Sequence, residues 1–160
     1  MNEACPLPTV GAWWRAPDVV RRLLTTPATW AVVGLSNNTS RTAYSIAGYL
    51  RDHLGMSVVP VHPRAEPVAG VPGYARLADI PDPGTDGGPG PISVVDCFVN
   101  SARVGAVVDE AIEESSRLGI QAVWLQLGVI DEDAATRARD AGLDVVMDTC
   151  PAIEAPRLGL

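Results

Sequence analysis

The sequence contains no lysine, so all 12 of its basic residues are arginines. This absence excludes enzymes with a Schiff-base lysine or a lysine general base, and nucleotide-binding proteins that depend on the P-loop lysine. The 19 acidic residues give a net charge of −7, and no block of basic residues interrupts them. Such a chain is unsuited to nucleic acid or anionic membrane as a main partner. Any bound anion must be held by single arginines, backbone amides and a helix end.

Cysteine is also scarce: Cys5, Cys97 and Cys150 are the only three, and they form no CxxC pair. An odd number of isolated cysteines indicates neither a disulfide framework nor a zinc site, and we expect no metal. No apolar run approaches the ~18 residues of a membrane-spanning helix. The N-terminal region lacks the basic cluster and apolar core of a signal peptide. We therefore expect a cytoplasmic protein.

Length and composition predict one folded domain. The chain has 160 residues, of which 47% are hydrophobic and 19% charged, a composition typical of a folded globular protein. We expect residues 1–160 to form a single domain, with residues 1–16 as an N-terminal extension. Residues 81–91 carry four prolines and four glycines, which predicts a loop.

Apolar patterning alternates between strand and helix along the chain. Short apolar runs predict five strands, at residues 29–34, 56–61, 92–98, 121–126 and 143–147. Amphipathic segments predict four helices, at residues 17–25, 40–54, 100–118 and 131–141, with shorter turns near 77–80 and 153. This alternation predicts an α/β fold: a Rossmann-like, doubly wound, parallel five-stranded sheet with helices on both faces and strand order 3-2-1-4-5. Ligands of such sheets bind at the C-terminal strand ends, here beside strand 1.

The first predicted strand ends in a glycine, a polar turn and a helix. Gly34 lets the backbone approach a ligand closely, and the serine and asparagine side chains of residues 36–40 add hydrogen-bond donors. Ser40 is the expected N-cap of the helix, and Arg41 adds a permanent charge. Free amides at a helix N-terminus suit a phosphate or pyrophosphate. The alternative is a polar turn with a capping serine and no ligand.

This turn is not the dinucleotide-binding fingerprint. The G-x-G-x-x-G pattern needs three glycines, and only Gly34 is present. The second strand runs into Val61-His62-Pro63-Arg64, without the acidic residue that binds the ribose of NAD. An arginine at this place favours a further phosphate on the ribose. Two ligand types carry one: NADP on the 2′ position and coenzyme A (CoA) on the 3′ position.

Five short segments carry a resemblance to a known family: Ala31-Val32-Val33-Gly34-Leu35-Ser36, Pro60-Val61-His62-Pro63, Leu77-Ala78-Asp79-Ile80-Pro81, Trp124-Leu125-Gln126-Leu127-Gly128-Val129 and Val146-Met147-Asp148-x-Cys150. In this order they resemble the stand-alone CoA-binding proteins, which look like the CoA-binding domain of the succinyl-CoA synthetase α subunit. The resemblance extends from about Val19 to Glu154. It implies a Rossmann-like domain with CoA across the strand ends.

The turn, the strand ends and the resemblance together assign the expected CoA contacts. These residues are Gly34, Leu35, Ser36, Asn37, Asn38, Ser40, Arg41, Val61, His62, Pro63, Arg64, Phe98, Val99, Asn100, Gln126 and Gly128. The resemblance implies that the Gly34 loop holds phosphate, that Phe98 and Val99 line the adenine or pantetheine path, and that Gln126 and Gly128 close the floor. Where the family often has two arginines after the phenylalanine, this chain has Val99 and Asn100, and His62 replaces an asparagine.

No nucleophile–base pair is evident in the sequence. Cys150 has no histidine near it, and a packed position at the end of the fifth strand is the favoured interpretation; Cys97 is expected in the core. Trp13 and Trp14 either pack onto the sheet or mark a partner surface. The leading hypothesis is a small CoA- or acyl-CoA-binding protein without catalytic machinery. The alternatives are an NADP-binding reductase and the CoA-binding subunit of a multi-chain acyl-CoA ligase.

Overall fold

Five short parallel strands form one sheet in the structure, a computed structural model that describes residues 12–160. The strands are β1 (Thr29–Val33), β2 (Ser57–Val61), β3 (Val94–Cys97), β4 (Ala122–Leu125) and β5 (Asp144–Val146). Nearly every strand residue is buried, as expected for parallel strands covered by helices on both faces. The predicted α/β class is confirmed. Cys5 lies outside the described residues.

Five α-helices connect and cover the strands: α1 (Pro17–Thr25), α2 (Thr42–Asp52), α3 (Ser101–Leu118), α4 (Glu132–Asp140) and α5 (Pro151–Arg157). Short 3-10 helices occupy Ala12–Arg15 and Leu77–Asp79. Side chains cap α3 and α4, because Asn100 Oδ1 accepts from Arg103 N–H at 3.1 Å and Asp131 Oδ1 from Ala134 N–H at 2.9 Å. No helix within residues 12–160 combines the length and apolar character needed to cross a bilayer.

The predicted cap of α2 is wrong. Arg41 is the N-cap residue, its backbone is extended, and it makes no side-chain cap hydrogen bond. Ser40 is held one residue earlier, since both its N–H and its hydroxyl donate to Asn38 Oδ1, at 3.1 and 2.6 Å. The asparagine side chain therefore closes a local turn that removes the serine from the helix end.

The position of β3 in the sheet differs from the expected one. β3 pairs with β1 on the side opposite β2, so the order in chain numbering is 2-1-3-4-5 in place of 3-2-1-4-5. The β2–β3 connection has no long helix, and its buried Leu77 and Ile80 pack on the face opposite α2. A right-handed crossover on that face leads back past β1. The strand-order switch still falls beside β1, so the expected site is unchanged.

Two hydrophobic layers enclose the sheet. α3, α4 and Leu77–Asp79 cover one face, and α1, α2 and α5 cover the other. Trp30 and Trp124 are fully buried in the second layer with ring centroids 5.6 Å apart. Cys97 is fully buried in the first layer, as predicted.

The N-terminal tryptophans pack against the edge of the sheet beyond β5. Trp14 O accepts from Met147 N–H at 3.1 Å, and the Trp13 ring lies 4.3 Å from the guanidinium carbon of Arg139. Arg15 forms an ion pair with Asp148 at 3.1 Å. These contacts support the packing interpretation of the two tryptophans, and they cover one edge strand of the sheet.

Candidate functional site

A cleft of about 1110 Å³ opens at the C-terminal ends of the strands. It lies beside β1, where the strand order switches and where doubly wound sheets bind their ligands. Its walls come from the β1–α2 loop, the β2–β3 connection, the first turns of α3, the end of β4 and the start of α5. The volume is slightly above the range of about 300–1,000 Å³ that is typical of small-molecule sites.

Most of the residues expected to contact a ligand line this one cleft. They are Gly34, Ser36, Asn38, Arg41, Val61, His62, Pro63, Arg64, Phe98, Val99, Asn100 and Gln126. They come from four separate stretches of sequence, which only the parallel sheet brings to one edge.

The other expected contacts lie beside the cleft and have visible structural partners. Leu35 is buried in the layer that contains α2. Asn37 ties its loop to the next one, because its N–H donates to Glu66 Oε1 at 2.7 Å and its Nδ2 to Pro67 O at 2.8 Å. Gly128 N–H donates to Asp148 Oδ1 at 2.8 Å. Ser40 is held by Asn38, as described above.

Gly34 allows two segments of the protein to approach each other closely. Its φ is +102°, and a Cβ at this position would lie 2.6 Å from Phe98 O. Phe98 N–H in turn donates to Val33 O at 2.8 Å, so β1 and β3 meet tightly at this point. Any side chain at position 34 would force these two strand ends apart.

The first turn of α2 faces the cleft with its backbone donors free. Thr42 and Ala43 line the cleft, and within residues 12–160 no acceptor is bonded to their N–H groups. Helix N-termini carry partial positive charge and attract anions. The preceding loop is held by local hydrogen bonds, since Ser36 Oγ accepts from Asn38 N–H at 3.2 Å.

Three of the four arginines that lack a carboxylate partner within residues 12–160 line this cleft. Most of the 12 arginines lie within 4.0 Å of an Asp or Glu oxygen, and within residues 12–160 those that do not are Arg21, Arg41, Arg64 and Arg103. The last three of these all line the cleft. Three guanidinium groups without a carboxylate partner in this part of the chain thus give the cleft local positive charge in a protein whose net charge is negative.

Two further arginines of the cleft were missed by the sequence analysis. Arg103 lies in the first turn of α3, directly after the expected contact Asn100, and this proximity was the available signal. Arg76 lies in the long β2–β3 connection and is paired with Asp79 at 3.5 Å. Nothing in the local sequence around Arg76 indicates that this connection folds back over the strand ends.

His62 has a fixed ring on the cleft wall. Its ring Nδ1 accepts from the Arg64 backbone N–H at 3.2 Å, and the His62 backbone N–H donates to Tyr74 O at 2.9 Å. The histidine therefore orders the turn that carries Arg64.

The end of the cleft near β4 and α5 contains buried polar groups. Burial raises the pKa of the Cys150 thiol, which lines the cleft at the start of α5. Asp96 of β3 is fully buried; this desolvation raises its pKa to about 8, and a hydrogen bond from Gln126 opposes the rise. Burial and the neighbouring Asp96 also raise the pKa of Cys97. At neutral pH these three groups are protonated.

Comparison with known proteins identifies the family. Residues 28–156 match the model of a CoA binding domain. The chain is 30% identical over 120 residues to the uncharacterized protein YneT of Bacillus subtilis, covering 75% of this chain and 79% of that one. A hypothetical protein from Pyrococcus horikoshii superposes with a TM-score of 0.78 at 32% identity, over 100% of both chains.

A more distant similarity concerns the fold alone. The structure matches acetyl-coenzyme A synthetase 1 of Ca. Korarchaeum cryptofilum, in complex with phosphate and ADP, with a TM-score of 0.64 at 23% identity. The match covers 81% of this chain and 27% of that one. With the resemblance in its strand-end segments, the cleft at the strand-order switch and the match over residues 28–156, this chain belongs to the CoA-binding domain family.

Proposed function

We propose that this protein binds CoA or an acyl-CoA in the cleft and has no catalytic machinery of its own. The observation that carries the proposal is the gathering of Arg41, Arg64 and Arg103, all without carboxylate partners within residues 12–160, around one cleft. CoA carries a pyrophosphate and a ribose phosphate, which need several separate cations or donors. Family membership supports the same ligand.

The residues of the cleft supply a distinct group for each part of CoA. Amides of the first turn of α2, the Ser36 hydroxyl and Arg41 lie at the end of β1 and suit the pyrophosphate. Arg64 follows β2, where an arginine in this fold class accommodates a phosphate on the ribose. Phe98 and Val99 are half-buried apolar walls between these groups and β4. The chemistry required is binding and orientation of a polyanion.

The titratable groups support binding in preference to catalysis. Cys150 is the thiol nearest the ligand space, and burial raises its pKa, whereas a nucleophilic cysteine needs a lowered pKa. Within residues 12–160 no histidine is hydrogen-bonded to this thiol, and His62 Nδ1 is engaged by the Arg64 backbone. Asp96 is fully buried and does not line the cleft.

The first experiment is isothermal titration of the purified protein with CoA, acetyl-CoA, NADP and NAD. The expected result is binding of CoA or acetyl-CoA with a Kd at least tenfold below that of NADP. Binding of NADP alone contradicts the proposal and favours the reductase alternative, because NADP also carries a ribose phosphate for Arg64. No binding of any of the four at millimolar concentration also contradicts it.

A catalytic or subunit role is tested separately. The protein is incubated with acetyl-CoA, and the release of free thiol is followed with a thiol reagent. We expect release at the rate of the protein-free control. Accelerated release would overturn the absence of catalysis without affecting the binding proposal, while co-purification with a ligase-like chain from the native host would favour the subunit alternative.

A further inference from the structure

We propose that Asp96 is a positioning residue: it orients the Gln126 carboxamide so that Gln126 Oε1 accepts a hydrogen bond from an amide N–H of the ligand's uncharged arm. This inference rests on the proposed function, because the arm in question is the pantetheine arm of CoA. According to this proposal, Asp96 contributes to ligand binding although it does not line the cleft.

Asp96 occupies a position at which a carboxyl group lowers the stability of the fold. It lies in β3, the central strand of the sheet, between Val32 of β1 and Trp124 of β4. Its side chain has no exposed surface, and within residues 12–160 Oδ2 has no hydrogen-bond partner. In the same part of the chain the only side-chain hydrogen bond of Asp96 is the one that Oδ1 accepts from Gln126 Nε2 at 2.6 Å. A buried polar group with so few partners destabilises the fold, which points to a role other than stability.

The bond to Asp96 decides which end of the Gln126 carboxamide faces the cleft. Gln126 lines the cleft although it is only 4% exposed. Since Nε2 is bound to the buried carboxyl group, Oε1 is left as the end that a ligand can meet, and no donor within residues 12–160 bonds to it. Without Asp96, the carboxamide could turn by about half a revolution and present its NH₂ group. The bond to Asp96 thus leaves the acceptor atom Gln126 Oε1, and not the NH₂ group, facing the cleft.

The charge distribution of the cleft identifies the part of the ligand that meets this acceptor. Arg41 and Arg64 follow β1 and β2, whereas Gln126 follows β4, on the other side of β3. The other lining residues that come from the segment after β4 and from the start of α5 are Leu127, Val129, Cys150 and Ile153, none of which carries charge at neutral pH. A chain without charge that offers amide N–H groups is complementary to this end. The pantetheine arm has two such amides.

The protonation of Asp96 fits this role. Its raised pKa, caused by burial, keeps the carboxyl group neutral at pH 7. In the structure Gln126 Nε2 donates to Oδ1 and Oδ2 has no partner within residues 12–160, so the proton of the neutral carboxyl group lies on Oδ2 and Oδ1 remains the accepting oxygen. The neutral form also avoids a buried negative charge behind a site for a polyanion.

A double-mutant cycle with two ligands tests the proposal. Titrations compare the wild type with Asp96→Leu, Asp96→Asn, Gln126→Leu and the Asp96→Leu/Gln126→Leu pair, against CoA and adenosine 3′,5′-bisphosphate, which lacks the arm. We expect Asp96→Leu to weaken CoA binding about fivefold to tenfold, the loss of one hydrogen bond. The bisphosphate affinity should stay within twofold. Asp96→Asn retains an acceptor oxygen and should keep the wild-type affinity for CoA.

Coupling between the two residues separates positioning from general structural damage. If Asp96 acts through Gln126, adding Asp96→Leu to the Gln126→Leu variant causes no further loss of CoA affinity. Equal losses for both ligands, full additivity in the pair, or unchanged CoA affinity in Asp96→Leu would each overturn the proposal. Failure of the wild type to bind CoA would refute the proposed function instead.

A ligand-free measurement keeps the inference testable if Asp96→Leu does not fold. Amide NMR of the wild type and Asp96→Asn follows hydrogen exchange of the two Gln126 Nε2 protons. We expect one proton to be protected at least tenfold over a free glutamine side chain, because it is bonded to a fully buried acceptor. Rapid exchange of both protons in the wild type would overturn the orientation on which the inference depends.

Discussion

The two ends of the cleft are built on different physical principles. At the end formed by β1 and β2, exposed arginines and free helix amides provide positive charge on flexible side chains and a fixed backbone. At the end formed by β4 and α5, the polar groups are buried, neutral and few. Exposed charges attract a ligand over a distance, and buried dipoles discriminate by orientation. For the ligand proposed above, we expect affinity to arise mainly at the first end and selectivity for the uncharged arm at the second.

The largest expected effect is the loss of unfolding free energy when a glycine at either end of the cleft is replaced by alanine. Gly34 and Gly128 both have positive φ, but only at Gly34 would a Cβ meet protein, 2.6 Å from Phe98 O. We expect Gly34→Ala to cost about 3 kcal/mol or more of unfolding free energy and Gly128→Ala about 1 kcal/mol. Chemical denaturation measures both. Equal losses would show that backbone strain alone governs the two positions.

The arginines at the charged end come next. Alanine at Arg41 or Arg64 should weaken CoA binding by about 1.5–3 kcal/mol each, the usual contribution of a charged hydrogen bond. Arg21→Ala is the matched control, because Arg21 is also without a carboxylate partner within residues 12–160 but lies on α1, outside the cleft. Titration calorimetry gives the affinities. If the Arg21 variant loses as much as the others, general electrostatic attraction explains binding, and the localised site is refuted.

We expect Asp96, at the uncharged end of the cleft, to make the free energy of unfolding depend on pH. Its pKa is about 8 in the folded protein against an ordinary value of 3.8, so the folded state binds more protons than the unfolded state between these pH values. Stability contributed by this group is therefore present at low pH and is lost as pH rises towards 8, by up to about 1.4 kcal/mol per pH unit.

The control for this prediction is Asp96→Asn, which has the same shape and does not titrate. Denaturant unfolding of both proteins between pH 5 and 7.5 should give a steeper decline for the wild type than for the variant. Parallel curves would mean that Asp96 ionises normally in the fold. That result would also remove the argument that the carboxyl group is neutral behind the ligand.

The smallest effect is expected at Cys150. Its thiol is protonated at neutral pH because burial raises its pKa, so alkylation by iodoacetamide should be slow compared with a free cysteine. Peptide mass spectrometry measures the rate at this position. Cys150→Ser should change CoA affinity less than twofold. A rapid reaction at pH 7 would instead indicate an activated thiol, and with it a chemical role for the uncharged end.

Local sequence determined much of the secondary structure. Asn100 and Asp131 cap helices because their side chains reach backbone N–H groups three residues later, and Gly119 ends α3 because it adopts a φ of 85°. The polar turn after Gly34 and the basic residue after β2 could be placed at the strand ends from the same patterns. These inferences needed only contacts between residues close in sequence.

The tertiary structure decided what these patterns leave open. Which edge β3 joins depends on the face that the β2–β3 connection covers, and packing over a long distance in sequence settles that choice. Arg76 lies at the cleft because the packing of the same β2–β3 connection brings it over the strand ends. The Asp96–Gln126 bond joins residues 30 positions apart across neighbouring strands. Periodicity identifies strands and helices because it reflects local burial, but neighbours in space follow from packing of the whole chain, which no local pattern encodes.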